Sequence, residues 1–165
     1  MRLLPPLMIA CAAAMLAASP VTGQRPDDQL NPRSVELLKQ GETHLAAGRF
    51  AQADEALETA LAVDPRNRAA YVTLARVAQK EKLFGQSIRY AKKALDLEPN
   101  DRDAIAIQGE AMVELGASAR ARETLAKLQQ LCGGAACPQA AQLSAAISRG
   151  PTVASAKPPA TPKSN

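Results

Sequence analysis

The chain is poor in the residues that build sheets and active sites. Of its 165 residues, only two are Phe and two are Tyr, and there is no Trp. No run of Val, Ile or aromatic residues reads as a buried strand, which excludes a sandwich or barrel and argues against a doubly wound α/β fold. There is one His, and no second His or Cys stands in helical register with it, so a metal site is unsupported. No Gly-rich loop follows a strand, so nothing is placed to cradle phosphate. Carboxylates are plentiful but lie within mixed-charge stretches. The chain is expected to be non-catalytic, with no cofactor and no metal.

An excess of one charge is also missing. The formal net charge is +4, but Arg2, Lys157 and Lys163 belong to the flanks. Residues 24–149 hold 17 Lys and Arg against 16 Asp and Glu, a balance of +1. Signs alternate along the chain as on a solvated helical surface. Without a clustered basic face and stacking aromatics, nucleic acid is not an expected partner. What the chain has in abundance is alanine, 35 residues, the best helix former. The expected class is all-α.

Residues 1–23 read as a secretory signal. Arg2 supplies the positive start, Leu3 to Ala18 an apolar stretch short for a membrane span, and polar residues follow after Gly23. An uncleaved anchor is one alternative. A second is lipidation: Leu7-Met8-Ile9-Ala10-Cys11 loosely resembles a lipobox, although the apolar run continues through Leu16. Membrane attachment is expected only if Cys11 is lipidated. The expected location is the periplasm or beyond, or else the outer membrane as a lipoprotein. Residues 24–33 read as a polar linker. Residues 150–165, with Pro151, Pro158, Pro159 and Pro162, have little apolar bulk to offset their chain entropy and read as a disordered tail.

Between the flanks the sequence repeats. Ala60-Leu61-Ala62-Val63-Asp64-Pro65 matches Ala94-Leu95-Asp96-Leu97-Glu98-Pro99 at an offset of 34. The same shift aligns Gly41 with Ala75 and Gly109, Leu37 with Tyr71 and Ile105, and Ala53 with Ser87 and Ala121. It also aligns Gly48-Arg49-Phe50 with Lys82-Leu83-Phe84 and Gly116-Ala117-Ser118. Within each unit two stripes at helical spacing are separated by a break. In the first, Leu37, Leu38, Leu45 and Ala46 precede Gly48. Phe50, Ala53, Ala56, Leu57, Ala60 and Leu61 follow, stopped before Pro65. Each unit is therefore a helical hairpin, too small to bury its own apolar face, and the units must stack. Gly41, Ala75 and Gly109 sit where helices approach closely. Asp64, Asn67, Asn100 and Asp101 are offered as caps.

The period and these small residues resemble the tetratricopeptide repeat family. The units are 34–67, 68–101 and a degenerate third at 102–133, where Gly133 stands in place of a closing proline. The hairpins are expected at 34–66, 68–99 and 102–131. Pro138 opens an expected capping helix at 138–149, with Leu143, Ala146 and Ile147 as its stripe. The resemblance implies a right-handed superhelical solenoid and a protein or peptide ligand on its concave face. By alignment that groove includes Leu38, Glu42, Val72, Arg76, Gln79, Lys80, Ala106, Glu110 and Glu114. The Lys and Asn that clamp a peptide carboxylate in chaperone-binding members are absent. His44 stands where the family carries Tyr and is expected to be a packing residue.

Cys132 and Cys137 bracket Gly133-Gly134-Ala135-Ala136. Once the leader is removed they are the remaining pair of cysteines, and in an exported protein the expectation is a structural disulfide. A redox pair, a shared metal and two free thiols are the alternatives. Four residues between the cysteines are not the two of dithiol oxidoreductase motifs.

Overall fold

The computed structural model describes residues 29–133 and 137–152. Seven α-helices and no strand occur among them: α1 Pro32–Ala46, α2 Phe50–Val63, α3 Arg68–Lys80, α4 Phe84–Leu97, α5 Arg102–Glu114, α6 Ser118–Leu131 and α7 Pro138–Arg149. The first six pair in order as three hairpins. Helices α1, α3, α5 and α7 form an inner layer, each touching the next; α2, α4 and α6 lie outside. None is long and apolar enough to cross a membrane.

The first helix begins at Pro32, two residues before the expected hairpin start. Asn31 accepts the Arg33 N–H at 2.9 Å, and Pro32 takes the first turn, where its missing N–H costs nothing. The prolines read as linker punctuation include a helix start. Asn67 and Asp101 cap α3 and α5 in the same way, accepting from Ala70 and Ala104 at 3.2 and 2.7 Å.

Apolar packing explains the stacking. One buried cluster joins Leu37, Leu57 and Leu74, from α1, α2 and α3. The next joins Val72, Ala91 and Ile107, from α3, α4 and α5. The last joins Ile105, Leu128 and Leu143, from α5, α6 and α7. Every hairpin is thus completed by the inner helix that follows it, and α7 is that helix for the third. Burying Leu143 fully is worth about 1.5–3 kcal/mol.

The small residues allow these approaches. A Cβ on Gly41 would stand 2.5 Å from Leu57 Cγ, so α1 and α2 could not close as they do. A Cβ on Gly109 would stand 2.6 Å from Leu143 Cδ2. That glycine serves chiefly the approach of α7, whereas Gly41 serves its own hairpin partner.

Polar pins fix the junctions. Ser34 Oγ donates to the Ala60 carbonyl at 2.8 Å, and Asn67 Nδ2 donates to Ser34 Oγ at 2.8 Å, all buried. Asp64 accepts from the Asn31 N–H at 2.9 Å and from Arg66 Nε at 3.1 Å. Arg68 and Asp101 form an ion pair across the second junction.

Candidate functional site

The inner layer presents two adjoining clefts of about 340 and 210 Å³ that share Gln79, Lys80 and Glu110. Their walls come mainly from α3, α5 and α7, with Leu45 of α1, Lys82 of the α3–α4 turn, Phe84 of α4 and Thr152 completing them. Arg76, Gln79 and Lys80 stand three and four residues apart on α3 and so share one face. Arg76 Nη2 pairs with Asp103 Oδ1 at 3.4 Å. Gln79 Nε2 donates to the Ile107 carbonyl at 3.2 Å and to Glu110 Oε2 at 3.3 Å. Lys80 makes no ion pair with another described residue.

Glu110 is the group most affected by this setting. Burial pushes its carboxyl above the ordinary value, opposed by the Gln79 hydrogen bond and by Arg149, Arg76 and Lys80. A half-buried carboxylate ringed by cations and an amide is a polar contact point.

Of the residues expected on the groove, Arg76, Gln79, Lys80, Ala106, Glu110 and Glu114 line the clefts. Val72 does not: it is 4% exposed and packed with Ala75 and Ile107. Alignment placed it on the inner face, but its helical angle turns it into the core between α3 and α5. Leu38 packs against the first core cluster, and Glu42 is exposed without lining either cleft. His44 is half-buried and does more than pack: its Nδ1 accepts from Arg49 Nε at 3.0 Å, tying the end of α1 to the start of α2.

Sequence reasoning missed the contribution of the capping helix. Gln142, Ala146 and Arg149 of α7 line the clefts, as does Asp103. The polar face of α7 carried the signal, once it is seen as an inner-layer helix. Two residues of the expected tail, Pro151 and Thr152, are among the described residues. The chain turns at Gly150, whose φ is 75°, and Thr152 donates its N–H and its Oγ1 to Glu114 Oε2 at 2.7 and 2.8 Å. A half-buried carboxylate at the end of α5 holds these residues in place; residues 153–165 lie outside the described residues, as do residues 1–28 with the leader and Cys11.

Cys132 and Cys137 end α6 and precede α7, with Cα atoms 5.9 Å apart, within reach of a disulfide. Among the described residues no group of three His, Cys, Asp or Glu is placed to hold a metal ion.

Residues 37–67 and 69–101 match the family model of the tetratricopeptide repeat. No curated protein sequence matches the chain. Solved structures do. The tetratricopeptide domain of Sgt2 from Aspergillus fumigatus is similar with a TM-score of 0.68 at 19% identity, covering 77% of this chain and 83% of that one. The second such domain of human RPAP3, in complex with the HSP70 peptide SGPTIEEVD, has a TM-score of 0.64 at 20% identity, covering 70% and 95%. The TPR2B domain of yeast Sti1, in complex with an Hsp70 peptide, has a TM-score of 0.66 at 20% identity, covering 72% and 98%. The centre of this chain is thus similar to two tandem tetratricopeptide repeats, and its helices share the all-helical fold of solved tetratricopeptide domains.

Proposed function

We propose that the chain is a non-catalytic protein-interaction module of the bacterial cell envelope, which binds an extended protein or peptide segment along its inner groove. The observation that carries this reading is the pair of adjoining clefts, in which α3, α5 and α7 converge on Arg76, Lys80 and Glu110. Peptide complexes of the similar Sti1 and RPAP3 domains support a peptide ligand for this fold. The carboxylate clamp residues are missing here, so an internal segment of mixed or acidic charge suits the groove better than a chaperone C-terminus. Residues 1–23 supply the export signal, and the mature chain begins near Gln24. The alternative of an outer-membrane lipoprotein scaffold rests on Cys11. The mass of the mature N-terminus separates the two, since an acylated Cys11 selects the scaffold.

The test is crosslinking in the envelope, with the captured partner identified and its binding then measured on purified protein. Arg76→Glu with Lys80→Glu is expected to weaken that binding by about 1–3 kcal/mol with the helical melt retained. Binding that survives the double change, but is lost on altering α2, α4 or the tail, would put the ligand elsewhere.

A further inference from the structure

The 34-residue period gives each position of one hairpin a counterpart in the others. Where the scaffold needs a residue type, the counterparts agree, as at Ala60 and Ala94. On the outer side of the second hairpin they do not. A cleft of about 480 Å³ opens there between α3 and α4, walled by Tyr71, Arg89, Tyr90, Lys92, Lys93 and Asp96. Counterparts of the first five in the first hairpin are Leu37, Glu55, Ala56, Glu58 and Thr59. The cleft at that place is smaller, about 220 Å³. The third hairpin has Ile105, Glu123, Thr124, Ala126 and Lys127. The fold therefore closes without two tyrosines and three cations at these positions.

Their setting favours an anionic occupant. Arg89, Lys92 and Lys93 make no ion pair or side-chain hydrogen bond with another described residue, and Asp96 is the one carboxylate in the wall. Tyr71 and Tyr90 pack their inner edges on the second core cluster, which holds the rings as fixed walls. Tyr90 is further held by Gln86 Nε2, 3.1 Å from its hydroxyl. The positive field ends on the side of α2, which carries Asp54, Glu55 and Glu58 and no cation, so a long polyanion laid that way would meet repulsion. On the other side α6 carries Arg120, Arg122 and Lys127 with Glu123.

We propose that this outer cleft is a second docking site, taking a short acidic peptide segment. Its carboxylates meet Arg89, Lys92 and Lys93, and one apolar or aromatic side chain enters between Tyr71 and Tyr90. The cleft shares no lining residue with the inner groove, so it stands whether or not the groove binds its own ligand.

The probe is a short fluorescein-labelled peptide of aspartate and glutamate around a central phenylalanine. It is titrated by anisotropy against the full exported chain at about 0.1 M salt, where surface charges still act over about 10 Å. Binding is expected, and Arg89→Glu/Lys92→Glu/Lys93→Thr should weaken it by roughly tenfold or more. That variant installs the residues the first hairpin already carries, and its helical melt is checked alongside. Should it fail to fold, Lys92→Gln/Lys93→Gln, at two exposed positions, serves in its place with a smaller loss expected. Tyr90→Ala should also weaken binding, and Arg76→Glu/Lys80→Glu should leave it unchanged. The proposal is overturned if the peptide does not bind, if cation replacement on α4 leaves binding intact, or if the groove variant abolishes it. Equal binding of an all-carboxylate peptide lacking phenylalanine, or tighter binding of an oligonucleotide of equal charge, would likewise overturn it.

Discussion

At the scale of single residues, the repeat exposes its own irregularities. Gly48, Lys82 and Gly116 occupy the same place in the three hairpin turns, with φ of 70°, 62° and 78°. Glycine accepts that left-handed conformation without cost; lysine crowds its Cβ against the following carbonyl. Lys82→Gly is therefore expected to stabilise the fold by about 0.5–1 kcal/mol after allowing for the greater chain entropy of glycine, as read from urea unfolding. Two aspartates respond to pH in opposite senses. Asp64 is lowered from 3.8 to about 2, first by the Arg66 side-chain hydrogen bond and then by the Asn31 N–H. Its contribution is present above about pH 4 and is lost as pH falls towards 2. Asp54 is raised from 3.8 to about 6, first by burial and then by Glu81 and Glu58. Its contribution is present below about pH 4 and is lost as pH rises through 6. Thermal melts should show stability rising from pH 7 to about 5 and falling below about 4. Asp54→Asn should flatten the upper limb and raise the melting temperature at pH 7; an unchanged profile would mean that its burial is not felt. Ser87 was legible only as a position: it aligns with Ala53 and Ala121. That its buried Oγ finds no partner among the described residues depends on how the helices close around it.

At the scale of elements, starts and stops were the most legible feature. Asn67 and Asp101 before α3 and α5, and proline after α2 and α4, mark boundaries through local chemistry alone. Asp64 and Asn100, offered beside them, are not the N-caps, and Asn31, which caps α1, lay in the stretch read as linker. Pro32 was misjudged because a proline beside another polar residue reads equally as linker or as the first helical position. The glycines carry a different lesson. Gly41 and Gly109 are equivalent in sequence, yet one meets Leu57 of its own hairpin and the other Leu143 of α7. Gly109→Ala should consequently loosen α7, costing about 1–3 kcal/mol by overpacking. Hydrogen exchange would show this as faster opening of residues 138–149, with α1 and α2 unchanged. Uniform loss of protection along the whole chain would contradict that reading.

At the scale of the whole molecule, the closing of the stack depends on α7 and on the joint that leads to it. We propose that Cys132 and Cys137 form a structural disulfide in the exported protein, holding that joint. The loop is short, so the chain-entropy contribution is about 2 kcal/mol. Alkylation under denaturing, non-reducing conditions should find no free thiol at either position, and two modified cysteines would refute the bond. Cys137→Ser should lower stability by about that amount while leaving binding at the groove largely intact. By itself the sequence determined the helical class, the period, the caps of α3 and α5 and the order of the hairpins. Each of these follows from contacts within one unit or between a unit and its neighbour in the chain. Which further residues join or leave the groove surface was decided only by tertiary structure. The twist from one hairpin to the next turns Val72 into the core and brings Gln142 and Arg149 of α7 beside Lys80 and Glu110. It also leaves Tyr71 beside Arg89 and Lys93 in a separate cleft, because relative helix rotation is set by packing volumes summed over three helices and no local pattern records that sum.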